Sequence, residues 1–165
     1  MKRGYKKYIS ITLFALVGLL IMSFAPKEET VKFKCMIQMI NYSGEKAYVA
    51  ITLINPEGNY EKTLYVQGDD EDWFRDLKKW WGFSNSVNES LDGLTGATIG
   101  NGERKINVLE IASSKIDAGY KVRFETAVEN QEYHITDAEV ELNSATIKNK
   151  VTGSGYIRYV RMIPN

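Results

Sequence analysis

Cysteine and histidine are nearly absent from this chain of 165 residues, which contains one of each. The single cysteine, Cys35, excludes an intrachain disulfide framework and any metal cluster built from several cysteines. The only histidine, His134, lies in a predicted strand, and no group of His, Asp and Glu has the spacing of a zinc site. A serine nucleophile elbow is also missing. These absences argue against a hydrolase or a metal enzyme.

An excess of basic residues is missing as well. The chain has 21 Lys and Arg residues against 21 Asp and Glu residues. All four basic residues that precede Ala25 belong to the N-terminal segment, so 17 basic residues face 21 acidic residues in the remainder, a net charge of −4. Nucleic-acid binding requires a basic surface, and we therefore expect no nucleic acid among the partners.

The first residues of the chain have the pattern of an export signal. Basic residues at positions 2, 3, 6 and 7 precede an uncharged apolar run at 9–24, which also allows membrane proximity. Cleavage after Ala25 fits the preference for a small residue, but Pro26 follows it, and the run is slightly shorter than the roughly 20 residues of a relaxed membrane span. Both versions stay open, and either places the protein in the periplasm or on the outer face of the cytoplasmic membrane. The expected division is a signal peptide or N-terminal membrane anchor at 1–25, a linker at 26–30 and one domain at 31–165.

Most of the remaining chain alternates between apolar and polar residues, as half-buried strands do. A turn at 55–59 predicts a hairpin between two strands, of which the first is mostly apolar and should be central. In the strand at 120–128, Val122 and Phe124 alternate with Arg123 and Glu125 on the opposite face. Short strands separated by turn signals predict an all-β fold, an immunoglobulin-like β-sandwich. The predicted strands are 31–39, 47–54, 60–67, 106–111, 120–128, 133–136, 139–147 and 156–162.

One segment departs from this pattern and has the signals of a helix. Asp70 offers an N-cap, and Trp73, Leu77 and then Trp80 or Trp81 recur at helical spacing before a glycine. All three tryptophans lie in this inserted helix. Because large aromatic side chains usually anchor cores, we expect most of them to plug one end of the sandwich.

Shortly after this helix, residues 92–98 read Asp-Gly-Leu-Thr-Gly-Ala-Thr. This segment is similar to the acceptor motif Asp-x-x-(Ser/Thr)-Gly-Ala-(Ser/Thr), onto whose last hydroxyl a bacterial flavin transferase esterifies FMN. The resemblance implies that Thr98 carries FMN through a phosphoester. The alternative is a surface turn that spells the motif by chance. Export supports the first interpretation, because a free flavin outside the cytoplasm would be lost to the medium.

The other residues of the motif suit the same chemistry. Gly96 and Ala97 leave the backbone accessible to a transferase pocket and to a bulky flavin. Asp92 and Thr95 can form local hydrogen bonds that hold the loop in a turn.

The tryptophans have a second interpretation beside that of core anchors. One of Trp73, Trp80 or Trp81 would stack near the isoalloxazine ring carried on Thr98 and exclude water from it. Of the three, we expect Trp80 or Trp81 to take this role.

The order of these features resembles a predicted periplasmic family known as domain of unknown function 2271. The order is an exported leader, strands, the Trp-rich helix, the motif at 92–98 and a turn at 117–120 that leads into a strand. The resemblance covers most of residues 31–162. It implies an immunoglobulin-like domain that is associated with PepSY-type membrane redox proteins and with flavin transferases. The motif is also similar to that of FMN-binding subunits of the Rnf and sodium-pumping quinone reductase complexes, which commonly carry a hydroxyl residue where this chain has Gly100.

Two functions remain in competition. The first is an extracytoplasmic electron-transfer protein with FMN covalently bound to Thr98, which exchanges electrons with a membrane redox partner and is a carrier more than a catalyst of its own reaction. The second is a cofactor-free immunoglobulin-like binding or assembly module of the cell envelope, which holds its partner through an exposed aromatic patch or a sheet edge.

Overall fold

Two β-sheets packed face to face form the body of the protein in a computed structural model that describes residues 28–165. The predicted leader and the start of the predicted linker lie outside this range. The strands are β1 (Thr30–Met39), β2 (Tyr48–Ile54), β3 (Tyr60–Gln67), β4 (Thr95–Gly96), β5 (Arg104–Ala112), β6 (Lys121–Ala127), β7 (His134–Glu141), β8 (Val151–Thr152) and β9 (Ile157–Pro164). One sheet has the order β5-β1-β9-β8, and the other has the order β4-β3-β2-β6-β7. The predicted all-β sandwich with a helical insertion between strands is confirmed.

The main core lies between the two sheets. In β1, Phe33, Cys35, Ile37 and Met39 all face it and are buried, as the alternating pattern predicts. Each such apolar side chain contributes about 1.5–3 kcal/mol when it is fully buried. Cys35 is a core residue, and burial raises the pKa of its thiol far above the ordinary value.

The predicted hairpin is also confirmed. Strands β2 and β3 pair antiparallel, and the turn between them contains Gly58 with φ +86°, a conformation that glycine adopts without strain. Strand β2 lies between β3 and β6 in the middle of the five-stranded sheet, which explains why almost all of its side chains are buried.

The prediction of separate strands at 133–136 and 139–147 is wrong. Strand β7 runs without interruption from His134 to Glu141 because the Asp137 carboxylate stays inside and accepts hydrogen bonds from the N–H groups of Gly155 and Ile157. After β7 the chain leaves the sheet in a turn. Asn143 begins this turn, since its backbone oxygen accepts from the N–H of residue 147 at 2.8 Å.

The predicted single helix is two helices. A 3-10 helix (Glu71–Asp76) precedes the α-helix α1 (Lys78–Ser86). The expected N-cap is confirmed, because the Asp70 side chain accepts from the backbone N–H of Asp72 at 3.1 Å. The helix does not stop before Gly82 but continues through it. Glycine costs only about 1 kcal/mol inside a helix, and the following turn offsets this by packing Phe83 on the ring of Tyr60, with centroids 5.2 Å apart.

The two helices cover the outer face of the five-stranded sheet, so the expectation that they plug one end of the sandwich is wrong. Phe74, Leu77 and Trp80 form a second core with small and branched side chains of the strands, among them Ala50 and Ala127. Small residues on the sheet let the bulky aromatics approach it closely. This third layer positions the candidate site described below.

Candidate functional site

The segment that contains the acceptor-like motif lies along the edge of the five-stranded sheet. Strand β4 pairs parallel with the end of β3, and the N–H of Val66 donates to the backbone oxygen of Leu94 at 2.7 Å. Further along, Ile99 exchanges backbone hydrogen bonds of 2.8 and 3.0 Å with Ala47. The backbone is therefore fixed on both sides of Ala97 and Thr98.

Gly96 of the motif has a packing role in this arrangement. A Cβ atom at this position would lie 2.2 Å from the hydroxyl of Tyr65. That hydroxyl donates to the backbone oxygen of Thr95 at 3.3 Å. The tyrosine therefore approaches the backbone of the motif directly, which only a residue without a side chain permits.

Asp92 and Thr95 do not hold the loop in the way the sequence suggested. Within residues 28–165, neither side chain forms a hydrogen bond, and Asp92 is exposed in a turn. Backbone hydrogen bonds to β3 and to Ala47 take over that role. Ala97 is exposed beside them, which leaves the backbone next to Thr98 accessible.

Thr98 is half-buried and lines a cleft of about 360 Å³. In the described part of the chain its hydroxyl has no hydrogen-bond partner. The oxygen is thus free to react with a group that enters the cleft. The other lining residues are Glu45, Lys46, Tyr48, Trp73, Asp76, Ala127 and Glu129.

The tryptophan that shares this cleft with Thr98 is Trp73, whose side chain is 38% exposed. Trp80 is 0% exposed, and its Nε1 donates to the hydroxyl of Thr63 at 2.8 Å. Trp81 is partly covered and packs edge-on against Phe74, with ring centroids 5.5 Å apart. The structure therefore brings Trp73 to the cleft, and neither Trp80 nor Trp81 lines it. Helical spacing alone could not distinguish among the three.

The cleft has an acidic lining. Three carboxylates, of Glu45, Asp76 and Glu129, face one ammonium, that of Lys46, which gives a net charge of −2. Burial of the Tyr48 phenol, together with the neighbouring Asp70 and Asp69 carboxylates, raises its pKa above the ordinary value. Tyr48 therefore stays neutral at physiological pH, and Lys46 is the group of the lining that can offset the charge of a phosphate.

A buried carboxylate, which sequence reasoning missed, lies beneath the helices. Glu125 is 0% exposed and accepts hydrogen bonds from the hydroxyls of Tyr60 and Tyr133 and from the N–H of Trp80, the last at 3.3 Å. Desolvation raises the pKa of Glu125, although these hydrogen bonds oppose the shift. Glu125 pairs with Ala50 across the sheet, on the face that the alternating pattern assigned to polar residues. The helices cover that face, and the signal for this was the Trp-rich segment, which needs a sheet to pack on.

The same network fixes the start of α1. Leu77 precedes the helix and supplies no side-chain cap. The N–H of Lys79 donates instead to the hydroxyl of Tyr133 at 2.9 Å, and the N–H of Trp80 donates to Glu125. Residues distant in sequence, one in β6 and one just before β7, thus satisfy two of the free N–H groups that every helix has at its start.

Two further features concern metals and membranes. Among residues 28–165, no three His, Cys, Asp or Glu side chains come together in a way that could hold a metal ion. No helix in that same range combines the length and the apolar character that a membrane span requires.

Comparison with known proteins places the chain in a family. No curated protein and no solved structure matches it. The sequence profile described as "Predicted periplasmic protein (DUF2271)" matches residues 30–159, which include the strands from β1 to β8 and the start of β9, the two helices and the cleft with Thr98. The family description supports an exported protein. The chain belongs to the DUF2271 family of predicted periplasmic proteins.

Proposed function

We propose that this protein is an extracytoplasmic electron carrier that holds FMN covalently on Thr98. The observation that carries the proposal is the Thr98 hydroxyl, which ends an acceptor-like motif and lies unpaired in a cleft beside an exposed indole.

The residues of the cleft fit an attached flavin. A phosphoester requires an alcohol oxygen without competing bonds, and Thr98 has one. The backbone hydrogen bonds of Ile99 hold the attachment point still, while the exposed Ala97 leaves access for a modifying enzyme. Lys46 would lie near the phosphate charge, and Trp73 would cover part of the ring and exclude water. FMN itself would supply the electron-transfer chemistry, since it accepts and donates electrons one or two at a time.

Two partners belong to this proposal. A flavin transferase would transfer the FMN group from a flavin adenine dinucleotide donor to Thr98: the threonine oxygen forms the new P–O bond, the diphosphate bond of the donor breaks, and adenosine monophosphate leaves as the hydroxyl loses its proton. A PepSY-type membrane redox protein would exchange electrons with the flavin. Both follow from the resemblance of the motif and of the domain. An exported location supports them, because outside the cytoplasm a flavin that is not covalently attached would diffuse away, whereas an attached one stays with the protein.

The test is the mass of the protein after it is exported from a host together with a flavin transferase. We expect the mass of the chain plus one esterified FMN, and a yellow colour that survives denaturation. Thr98→Ala should remove both signals, and Thr98→Ser should keep them because the alcohol remains. Thr136→Ala, which removes an exposed threonine from β7, is the matched control and should stay yellow. An unmodified wild-type mass under these conditions would contradict the proposal.

A specific observation also favours the alternative, a cofactor-free binding module. Strand β5 is an edge strand of the four-stranded sheet, and it exposes Ile106 by 59% and Val108 by 51%. An edge strand with exposed apolar side chains can accept a strand from a partner. If Ile106→Lys lost partner binding and Thr98→Ala kept it, this alternative would be favoured over the electron carrier.

A further inference from the structure

The cleft at Thr98 continues on the other side of Trp73. A second cleft of about 290 Å³ shares Trp73, Asp76, Ala127 and Glu129 with the first. Beyond them it extends to Lys78 and Tyr133. The indole of Trp73 thus lies between two adjoining spaces, of which Thr98 lines only the first.

The size of the two spaces suits a long ligand that is attached at one end. Pockets for small molecules have volumes of about 300–1,000 Å³, so the second cleft alone lies at the lower limit and the two together lie within the range. FMN has a phosphate at one end, a five-carbon ribityl chain in the middle and three fused rings at the other end. The phosphate and the chain would occupy the cleft at Thr98, which leaves the rings for the space beyond Trp73.

Two aromatic side chains, those of Trp73 and Tyr133, lie in the lining of the second cleft, which is otherwise mostly polar or charged. The hydroxyl of Tyr133 donates to Glu125 and accepts from the N–H of Lys79 at 2.9 Å, so the ring of Tyr133 is held at two points. Trp73 lines the same cleft and offers an indole surface. Flat aromatic ligands gain most from such rigid aromatic side chains, because little conformational entropy is lost on binding.

The second cleft contains charged groups of both signs, which would have opposite effects on the reduction of a flavin ring. Lys78 is exposed, and its ammonium forms no ion pair within residues 28–165. Two carboxylates, of Asp76 and Glu129, complete the charged lining. The reduced isoalloxazine ring carries a negative charge that the oxidised ring lacks, so an ammonium favours reduction and a carboxylate opposes it.

On the basis of the proposed function, we propose that the second cleft is the binding site of the isoalloxazine ring, with Trp73 and Tyr133 against the ring and Lys78 as the residue that stabilises its reduced form. The structure thereby separates two roles along one groove. Thr98 anchors the cofactor, and the residues beyond Trp73 set its reduction potential.

The first experiment measures the midpoint potential of the flavinylated protein. Lys78→Gln should weaken the reduced form about tenfold, which shifts the potential of a two-electron couple by about 30 mV to more negative values. Glu129→Gln should shift it in the opposite direction. Lys79→Gln is the matched control, since it removes the same charge from the neighbouring position of α1, which lines neither cleft. Lys79→Gln should shift the midpoint potential by less than a third of the shift that Lys78→Gln produces.

The second experiment measures flavin fluorescence. A nearby indole quenches the emission of a flavin, so Trp73→Leu should raise the emission severalfold. Phe83→Leu removes an aromatic ring of α1 that lines neither cleft and should leave the emission unchanged.

Intact mass, recorded first for every variant, separates the two proposals. If FMN is attached to Thr98 but Lys78→Gln and Lys79→Gln shift the potential equally and Trp73→Leu leaves the emission unchanged, the ring site is wrong and the electron carrier stands. If the wild type carries no FMN in the presence of the transferase, both proposals fail. A shift in opposite directions for Lys78→Gln and Glu129→Gln, with increased emission in Trp73→Leu, supports the ring site.

Discussion

Replacing Glu125 by alanine should remove a large part of the stability of this protein. The substitution takes away a buried acceptor and leaves three donors without a partner, namely the hydroxyls of Tyr60 and Tyr133 and the N–H of Trp80. The loss costs most free energy at the N–H of Trp80, since it lies in a fully buried residue at the start of α1. The two tyrosines are only partly buried and can recover some hydrogen bonding with water.

The magnitude follows from these three losses. A buried donor without a partner costs about 1–3 kcal/mol. With partial recovery at the tyrosines, we expect Glu125→Ala to lower the free energy of unfolding by about 3–5 kcal/mol. Native domains have only about 5–15 kcal/mol in total. Glu125→Gln keeps one acceptor oxygen and can donate to a tyrosine oxygen, so it should cost only about 1–2 kcal/mol.

The pH dependence gives a second, independent signature of Glu125. Desolvation raises the pKa of this carboxyl in the folded protein above its ordinary value of 4.5. Between 4.5 and the raised pKa the folded state keeps a proton that the unfolded state has lost, so this group makes stability fall as pH rises through that window. A carboxylate with a lowered pKa has the opposite slope. Glu125→Gln should abolish this contribution.

The tyrosines of the network act at alkaline pH. Burial, followed by the hydrogen bond to Glu125, raises the pKa of both Tyr60 and Tyr133 above the ordinary value of 10.0. Their neutral forms are favoured in the folded state, so stability is present below pH 10 and is lost as pH rises towards the folded pKa values.

Urea unfolding at several pH values, followed by tryptophan emission, measures these effects. Glu110→Gln is the control, because Glu110 is an exposed carboxylate of β5 in the other sheet, paired with the exposed Lys32 at 2.7 Å. Its loss should cost less than about 1 kcal/mol. A stability of Glu125→Ala within about 1 kcal/mol of the wild type would refute the reasoning, since that is the effect of an ordinary surface change.

Two further substitutions test the packing of the motif at 92–98 and of the loop at 153–157, which contacts Asp137 of β7. Gly96→Ala places a Cβ atom 2.2 Å from the Tyr65 hydroxyl and should lower the midpoint of thermal unfolding. The double variant with Tyr65→Phe should recover part of this loss. An equal loss in the single and the double variant would show that this contact is not the cause. Asp137→Asn replaces a buried acceptor for the Thr126 hydroxyl at 2.7 Å and for the N–H groups of Gly155 and Ile157. Calorimetry should show that the free energy of unfolding falls by about 2–3 kcal/mol. An unchanged value would mean that the loop at 153–157 does not depend on this carboxylate.

Local patterns predicted most of the fold. Alternation acts residue by residue, and it identified β1 and the burial of Cys35, while the mostly apolar run at 47–54 identified β2 as a central strand. Turn chemistry predicted the β2–β3 hairpin, and Asp70 was recognisable as an N-cap. The break expected between 136 and 139 did not occur, because Asp137, which lies within it, is satisfied by a loop close to it in space but distant in sequence.

The candidate site was less predictable, because it depends on which face of the sheet the helices cover. The sequence placed Trp73, Trp80 and Trp81 on one helix but contained no rule for which of them would stay exposed. Packing on Ala50 and Ala127 buries Trp80 and leaves Trp73 at the cleft. The same packing turns the polar side of β6 into an interior, which is why Glu125 looked like a surface residue in the sequence.

The charged lining of the cleft also bears on why a flavin here would be covalently attached. Glu45, Lys46 and Glu129 are exposed, whereas pockets that retain free small molecules are mostly apolar and enclosed. Such a site would bind a free flavin weakly. A short flexible tether supplies an effective concentration of about 1 mM, so even a ring site with a Kd of that order would be occupied about half of the time. For the rest of the time the ring would be outside the cleft, still attached to Thr98, where a membrane redox partner can reach it. Weak ring binding and a permanent attachment are therefore complementary properties of an electron carrier.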